Sequence, residues 1–232
     1  MMCTEIAIGD MRDAVARYID DGFGVICMYA LEPGEVSRSL QVIMRKGGDV
    51  VRLSSNIDGR SYPSLAVSIP GLRFYEREIS EMSGITPIGL PAFGPQRIMW
   101  GYKDAYPLQK AELPKDRVPI QMYGNGIQGE GVFEIPVGPV HAGVIEPGHF
   151  RFSVAGEPIL KVKAHLGFTH RGIERLLETS ADKDNTRIIE RISGDTAVAN
   201  SLAYAHAVEG EREVPYRAKL MRVIFAELER IH

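Results

Sequence analysis

The chain has 232 residues, of which 44% are hydrophobic and 25% charged, the composition of an ordinary soluble protein of one large or two small domains. Its 27 basic and 30 acidic side chains give a net charge of −3, so nucleic acid is disfavoured as the main partner. No apolar run approaches the roughly 18–20 residues that span a bilayer. Because the first residues also lack the pattern of a secretory signal, we expect a cytoplasmic location.

The first 84 residues predict a small α+β domain with an antiparallel sheet, in the order α-β-β-β-α, with a further alternating segment before the second helix. Apolar residues at helical spacing predict a helix between Asp10 and the Asp21-Gly22 stop. Strand-length segments separated by turn residues follow at residues 24–30, 39–45 and 50–54. Alternation over residues 64–69 predicts a further strand, and Pro70 begins a helix that ends at Gly84.

Prolines and glycines are concentrated in the middle of the chain. Nine of the 14 prolines and eleven of the 24 glycines lie between Gly84 and Gly148. Both residue types interrupt regular structure, so this part should be mostly extended connection. We therefore predict one domain over residues 1–110, a linker over residues 111–135 and a second domain over residues 136–232.

The second domain is predicted to begin with strands and to continue as helices. Phe150, Phe152 and Val154 alternate with polar residues, and Gly156 turns the chain into a second alternating segment, which indicates a β-hairpin. Helical spacing then covers residues 173–178, 183–192, 196–208 and 215–232. The last helix has an apolar face without a stop signal, which predicts the start of a larger helical bundle and poor solubility of this chain alone.

Several motifs match patterns of known proteins. Phe74-Tyr75-Glu76-Arg77-Glu78-Ile79 and Tyr106-Pro107-Leu108-Gln109-Lys110 resemble the 30 kDa subunit of respiratory complex I. From Pro136 on, the sequence resembles the 49 kDa subunit and the large subunit of membrane-bound nickel–iron hydrogenases. The stretches that carry this second resemblance include Gly138-Pro139-Val140-His141, Glu146-Pro147-Gly148-His149, His170-Arg171-Gly172, Glu190-Arg191-Ile192 and Ala207-Val208-Glu209. Both parts in one polypeptide are similar to the large subunit of formate hydrogenlyase.

The resemblance implies a subunit of a membrane-attached oxidoreductase complex that couples electron transfer to proton or ion translocation. The implied partners are a small iron–sulfur subunit, similar to the one in complex I, and antiporter-like subunits of a membrane arm. The protein itself would bind no cofactor directly, with quinone as a candidate ligand. It would lie on the cytoplasmic face of the inner membrane and would be inactive in isolation.

One segment departs from the hydrogenase pattern. Hydrogenases of this lineage carry an Arg-x-Cys-x-x-Cys element whose thiolates help to hold nickel and iron. Ser193 and Thr196 stand at those cysteine positions here, and Asn200 stands where histidine is often found. Hydroxyl groups stay protonated near neutral pH and are poor ligands for metals that favour soft donors. We therefore predict no normal nickel–iron site in this protein.

The candidate site residues belong to a turn and to the start of a helix. The residues predicted to be catalytic are His141, Glu146, His149, Asp195 and Tyr204. The resemblance implies that the turn lines the active cavity and that Tyr204 is in register with a quinone-binding tyrosine of complex I. Ile145 stands near the position of the quinone-contacting histidine, which weakens the quinone interpretation. The residues predicted to contact substrate or a partner are His170, Arg171, Ser193 and Thr196.

Each of these residues also has a structural interpretation. The turn histidines would then be bonded to the backbone, and Tyr204 would be a core residue whose hydroxyl is satisfied locally. Asp195 or Ser193 would cap the following helix, and Arg171 would pair with Glu174 or Glu178. Two alternatives for the function remain open: an active nickel–iron hydrogenase subunit, and a non-catalytic scaffold that docks an iron–sulfur subunit. In the catalytic interpretation, residues 141–149, 193–196 and 204 converge on one polar cavity.

The predicted linker leads to a first test. We expect limited proteolysis to cut the protein first within residues 110–135, because connections rich in proline and glycine are accessible to proteases. The cleavage sites can be mapped by mass spectrometry of the early fragments. Earlier cleavage within residues 38–70 would contradict this division into domains.

Overall fold

The computed structural model describes residues 2–32, 37–91, 94, 96–98, 100–102, 105–109, 115–119, 126–180, 184–210 and 212–232. The protein divides into two compact units, Met1–His170 and Arg171–His232. Among these described residues, no helix is both long and apolar enough to cross a membrane.

The described residues of the first unit form eleven strands and two α-helices, with 3₁₀ turns at Pro70–Leu72 and Gly167–Thr169. In sequence order they are β1 (Met2–Glu5), α1 (Met11–Asp20), β2 (Gly24–Leu31), β3 (Ser39–Lys46), β4 (Asp49–Asn56), β5 (Ser61–Pro63), α2 (Arg73–Ser83), β6 (Thr86–Ile88), β7 (Trp100–Tyr102), β8 (Arg117–Pro119), β9 (Val132–Val137), β10 (His149–Ala155) and β11 (Ile159–His165). The predicted α+β class is confirmed.

A four-stranded sheet with the order β1-β4-β3-β2 forms the centre of this unit. The three predicted strands pair antiparallel, and β1, which the sequence did not predict, adds to the edge in parallel with β4. One face of the sheet is apolar and packs in a core with Met11 and Val15 of α1. The side chains that the strands bury in this core include Met28, Leu40, Val42, Met44 and Leu53.

A buried carboxylate on α2 determines the path of the backbone after β5. Glu76 is 0% exposed and accepts hydrogen bonds from the Ser64 hydroxyl at 2.6 Å and from the backbone N–H groups of Leu65 and Ala66 at 2.7 and 3.3 Å. Because these donors curve around one carboxylate, residues 64–69 form turns. The predicted strand over residues 64–69 is therefore wrong.

The burial of Glu76 changes the proton affinity of the groups around it. Burial raises the pKa of Glu76, although the hydrogen bonds to its carboxylate act in the opposite direction. Burial and the negative charge of Glu76 also raise the pKa of Tyr62, whose side chain is almost wholly buried. The Tyr62 phenol is therefore protonated at every physiological pH.

Helix α2 ends at a glycine because another side chain needs the space. Gly84 has φ +67°, and a Cβ atom there would lie 2.2 Å from the ring of Tyr106. The next residues continue this contact, since the Leu108 N–H donates to the Met82 carbonyl at 2.8 Å. The motif that begins at Tyr106 is thus held against the end of α2, and the predicted helix stop at Gly84 is confirmed.

The predicted hairpin is part of a three-stranded sheet with the order β11-β10-β9. Strand β9 begins at Val132, inside the predicted linker, and β8 also lies within that stretch. The remaining linker residues at 111–114 and 120–125 lie outside the described residues. One face of the sheet is apolar and partly exposed, as Phe133 and Ile135 show with 65% and 48% exposure.

The second unit is helical, as predicted. Its helices are α3 (Ile173–Thr179), α4 (Thr186–Ile189), α5 (Ala197–Glu209) and α6 (Tyr216–Ile231). Helix α4 is much shorter than the predicted segment 183–192, whose first residue lies outside the described residues. None of the described residues of α3, α5 and α6 is buried, and α4 buries Ile189. Apart from Ile189, the apolar side chains of these helices are therefore at most partly buried.

Replacement of Glu76 should destabilise the first unit. In Glu76→Gln, an amide NH₂ group faces N–H and O–H donors, so hydrogen bonds are lost and the free energy of unfolding should fall by about 1–3 kcal/mol. Because the folded-state pKa of Glu76 is raised, its contribution to stability is present at low pH and decreases as pH rises through that pKa. The difference between wild type and Glu76→Gln should therefore shrink as pH rises.

Urea unfolding of the 232-residue protein at pH 4.5 and pH 7, followed by circular dichroism, measures this difference. Glu157→Gln is the matched control, because Glu157 is exposed in the turn between β10 and β11. Its effect should stay within about 0.5 kcal/mol. Equal effects of the two substitutions at both pH values would contradict the role of Glu76.

Candidate functional site

The first group of candidate residues lies in the turn between β9 and β10. His141 Nε2 lies 2.7 Å from the Gly148 carbonyl oxygen, and the imidazole packs 5.7 Å from the ring of Phe150. The Gly148 N–H in turn donates to the Pro139 carbonyl at 3.0 Å. His141 therefore links the two ends of the turn through a bond to the backbone, as the structural interpretation of this histidine predicts.

Glu146 and His149 occupy different surroundings. Glu146 is exposed, whereas His149 begins β10 and pairs across the strands with His165 of β11. His165 is 4% exposed, and its burial lowers its pKa, with a smaller opposing effect from the charge of Glu81. The lowered pKa favours the neutral form of the His165 imidazole, which is the cross-strand neighbour of His149. No motif in the sequence singles out His165.

The turn also presents apolar side chains to solvent. Val140, Val144 and Ile145 are 74%, 84% and 60% exposed. Exposed apolar side chains next to titratable ones are typical of a surface that a ligand or partner covers. Ile145, at the position where complex I is expected to have histidine, belongs to this group.

His170 and Arg171 stand on the two sides of the division between the units. The His170 N–H donates to the Gly167 carbonyl at 3.2 Å. Within the second unit, the Arg171 guanidinium donates to the main-chain carbonyls of Arg191 and Ile192, the latter at 3.0 Å. Arg171 therefore fixes the segment that leads into Ser193.

The residues at the hydrogenase cysteine positions form a short polar turn. Residues Gly194–Thr196 make one turn of 3₁₀-helix, and the Thr196 N–H donates to the Ser193 carbonyl at 3.3 Å. The Asn200 side-chain amide donates to the Thr196 hydroxyl at 3.2 Å. Thr196 and Asn200, which the resemblance sets at a cysteine and a histidine position of hydrogenases, are thus bonded to each other.

The predicted cap of helix α5 is wrong. Neither Ser193 nor Asp195 makes a capping side-chain hydrogen bond. Glu229 of α6 instead accepts the N–H groups of Val198 at 2.6 Å and Ala199 at 2.9 Å. The negative carboxylate is favourable at this position, because helix N-termini carry unsatisfied N–H groups and a partial positive charge.

The sequence contains a signal for this contact. Glu229 lies in the last turn of its own helix α6, where a carboxylate is electrostatically unfavourable. An acidic residue at such a place calls for a partner elsewhere. Glu229 also borders a cavity of about 750 Å³ that is lined by Gly194, Asp195, Val198, Phe225, Leu228, Glu229 and His232.

The other end of α5 is held by an ion pair. The Arg222 guanidinium donates with both terminal nitrogens to the two carboxylate oxygens of Glu209, one at 2.8 Å. This hydrogen bonding lowers the pKa of Glu209. Glu229 and Arg222 of α6 thus contact α5 at opposite ends and fix the alignment of the two helices.

Tyr204 lies on the same side of α5 as Thr196 and Asn200, at intervals of four residues. Its hydroxyl accepts the N–H of Asn185 at 3.4 Å, just before α4. The side chain is half-buried, and the hydroxyl proton is available for a further acceptor. Thr196, Asn200 and Tyr204, called the α5 polar row below, form the part of the candidate site that the second unit supplies.

The structure therefore brings the candidate residues together in two groups. His141, Glu146 and His149 belong to the first unit, and Ser193, Asp195, Thr196 and Tyr204 belong to the second. Their convergence on one cavity stays a prediction. Within the described ranges, no three or more His, Cys, Asp and Glu side chains are grouped so that they could hold a metal ion.

Residues 10–117 match the family model of the respiratory-chain NADH dehydrogenase 30 kDa subunit. The protein is 36% identical over 196 residues to hydrogenase-4 component G of Escherichia coli K12, a match that covers 79% of this chain and 35% of that protein. It is 33% identical over 196 residues to formate hydrogenlyase subunit 5 of the same organism, with 78% and 34% covered. The chain belongs to the complex I and formate hydrogenlyase lineage.

A complex I protein is a further relative of this lineage. The NADH-quinone oxidoreductase C/D subunit of Phocaeicola vulgatus is 29% identical over 237 residues, with 91% of this chain and 43% of that protein covered. The chain spans about a third of the length of the two Escherichia coli relatives. A solved structure of Nqo5, trypsin-resistant fragment 1–134, matches with 17% identity and a TM-score of 0.33 over 38% of this chain and 80% of that one.

The contact between Glu229 and α5 can be tested by hydrogen exchange. In Glu229→Ala, the amide protons of Val198 and Ala199 lose their acceptor, which should cost about 1 kcal/mol and speed their exchange about fivefold. Glu227→Ala is the control, because Glu227 is exposed and pairs with Arg230 of its own helix. Unchanged exchange in Glu229→Ala, or the same acceleration in both variants, would refute the contact.

Proposed function

We propose that the protein is part of a membrane-attached oxidoreductase complex in which electron transfer is coupled to proton or ion translocation, without a normal nickel–iron site. The relatives are named as components of hydrogenase-4, formate hydrogenlyase and NADH-quinone oxidoreductase. The proposed partners are a small subunit with an iron–sulfur cluster and a membrane arm of antiporter-like subunits. The protein would bind to this arm on the cytoplasmic face of the inner membrane.

One observation carries the proposal that nickel is absent. Thr196 uses its hydroxyl to accept a hydrogen bond from Asn200, and Ser193 supplies a second hydroxyl rather than a thiolate. A neutral hydroxyl that is engaged with an amide is a poor donor to a soft-favouring metal. Four donors of the thiolate type, as in the hydrogenases of this lineage, cannot be assembled when two of the positions hold Ser193 and Thr196.

The α5 polar row supports proton transfer or the binding of an oxidised organic headgroup. The Tyr204 hydroxyl has a proton to donate, because the bond from Asn185 occupies only an acceptor position. A quinone carbonyl is an acceptor that needs such a donor. His141, Glu146 and His149 would supply exchangeable protons, and Asp195, with His170 and Arg171, would line the approach. The purified protein without its partners would lack the electron donor and be inactive.

A scaffold role is the second candidate function. It is favoured by the bonds that tie His141 to Gly148 and Tyr204 to Asn185, because both side chains then have local structural roles. In that case the protein would dock an iron–sulfur subunit and would take no part in the chemistry. The two candidates differ in the effect of a substitution at Tyr204.

The full complex, purified from its natural source, provides the test of nickel content. We expect less than stoichiometric nickel by elemental analysis and no hydrogen evolution from a reduced viologen dye, because the two thiolate positions hold hydroxyls. Nickel at one atom per complex would overturn this part of the proposal and restore the hydrogenase alternative.

A substitution at Tyr204 separates catalysis from scaffolding. In Tyr204→Phe, loss of the donor proton should reduce the rate of quinone reduction by the complex by about a hundredfold, a typical contribution of one positioned proton donor. Tyr216→Phe is the control, because Tyr216 is 75% exposed at the start of α6. A complex that reduces no quinone, or one in which both variants keep the wild-type rate, would contradict a role for Tyr204 and favour the scaffold.

A further inference from the structure

A second carboxylate of helix α2 holds a short segment of main chain. Glu81 accepts hydrogen bonds from the backbone N–H groups of Gln96 at 3.2 Å, Arg97 at 3.0 Å and Ile98 at 2.7 Å. Successive N–H groups that point at one carboxylate form a strong anion site. Residues 96–98, called the Glu81 loop below, are thereby fixed to the end of α2.

The side chain of Arg97 reinforces this attachment. Its guanidinium forms an ion pair with Glu78, which precedes Glu81 by three residues and so lies on the same side of α2. The side chain of Arg97 is therefore directed towards α2.

The backbone of Arg97 contacts Gly167, just after β11. A Cβ atom at Gly167 would lie 2.3 Å from the Arg97 carbonyl oxygen and 2.6 Å from the Arg97 Cα. Gly167 is buried, and its φ lies outside the positive range, so the need for glycine here comes from the close approach alone. No larger residue fits unless the two segments move apart.

The last residue of β11 is buried close to this contact. His165 is 4% exposed and close enough to Glu81 for the carboxylate charge to affect its titration. The ring of Phe168 packs edge-on against His165 with the centroids 5.4 Å apart. The main chain at Gly167 thus contacts the Glu81 loop, and His165 lies near the α2 carboxylate that holds this loop.

We propose that the Glu81 loop is the docking point that holds the three-stranded sheet β9-β10-β11 on the 30 kDa-type domain, and that the two fold as one cooperative unit. The recognition is asymmetric. On one side it uses the main chain of Arg97, which any residue could supply, and on the other side it requires glycine at position 167. The predicted linker then connects two parts that stay together when it is cut.

Cleavage of the protein after folding tests this proposal. A recognition sequence for a site-specific protease is inserted between Gly124 and Asn125 of the 232-residue protein, which carries an affinity tag at its N-terminus. After cleavage, the amount of C-terminal piece that stays with the tagged piece is measured by gel electrophoresis. We expect the two pieces of the wild-type protein to remain associated through repeated washing.

The variants separate a main-chain contact from a side-chain contact. Gly167→Ala should lower the retained fraction about tenfold or more, because backbone atoms must move to admit the methyl group. Arg97→Ala should retain the wild-type amount, since its main chain is unchanged. Gly48→Ala is the steric control, because a Cβ at Gly48 has nothing within 4 Å and its φ is not positive.

Hydrogen exchange shows whether the 30 kDa-type domain is still folded in Gly167→Ala. The amide protons of residues 96–98 should keep their protection in that variant, because their acceptor Glu81 is untouched. Pieces that separate in the wild type, or that remain equally associated in Gly167→Ala, would overturn the proposal. Loss of association in Arg97→Ala as large as in Gly167→Ala would also overturn it.

Discussion

The first unit depends on one buried carboxylate. Glu76 would cost several kcal/mol if it were buried alone, and this cost is met by a hydroxyl and two backbone N–H groups that all come from residues 64–66. The same bonds place the turn after β5, and the turn lets β5 pair with β6 beyond the end of α2. The position of the Tyr106 motif at Gly84 follows, because it is defined by the end of that helix.

Carboxylates bound by main-chain N–H groups recur in this protein. Glu76, Glu81 and Glu229 each accept at least two such bonds, and each joins a helix to a segment distant in sequence. Periodicity in the sequence predicts helices and strands well, as it did for α1, β3, β4, α5 and α6. Periodicity contains no information about a carboxylate that binds backbone N–H groups 10 or 30 residues away in sequence. For this reason the strand at 64–69 and the cap of α5 were predicted wrongly.

The sequence predicted which residue types form the candidate site, but it predicted their positions and contacts only in part. The resemblance around Ser193 led to the prediction that hydroxyls replace the thiolates, and spacing placed Thr196 and Tyr204 on one side of α5. The roles of Arg171 and Arg222 could not be read in this way. Arg171 binds backbone carbonyls, which every residue has, and Arg222 pairs with Glu209 across a helix–helix contact that no local pattern records.

Charged groups at the two ends of α5 fix its alignment with α6, and within the described part of the second unit the side chains of both helices are at most partly buried. In most helix pairs, changes in the size of buried apolar side chains disturb the packing most. In this pair, changes of charge should have the larger effect. Changes of side-chain size at Val223 or Leu220 leave no cavity, because both are about half exposed. A change of charge at Arg222 or Glu229 removes a defined contact. A change of charge at Arg222 or Glu229 should therefore shift the two helices relative to each other, whereas exchange of one apolar residue for another at Val223 or Leu220 should leave their alignment unchanged.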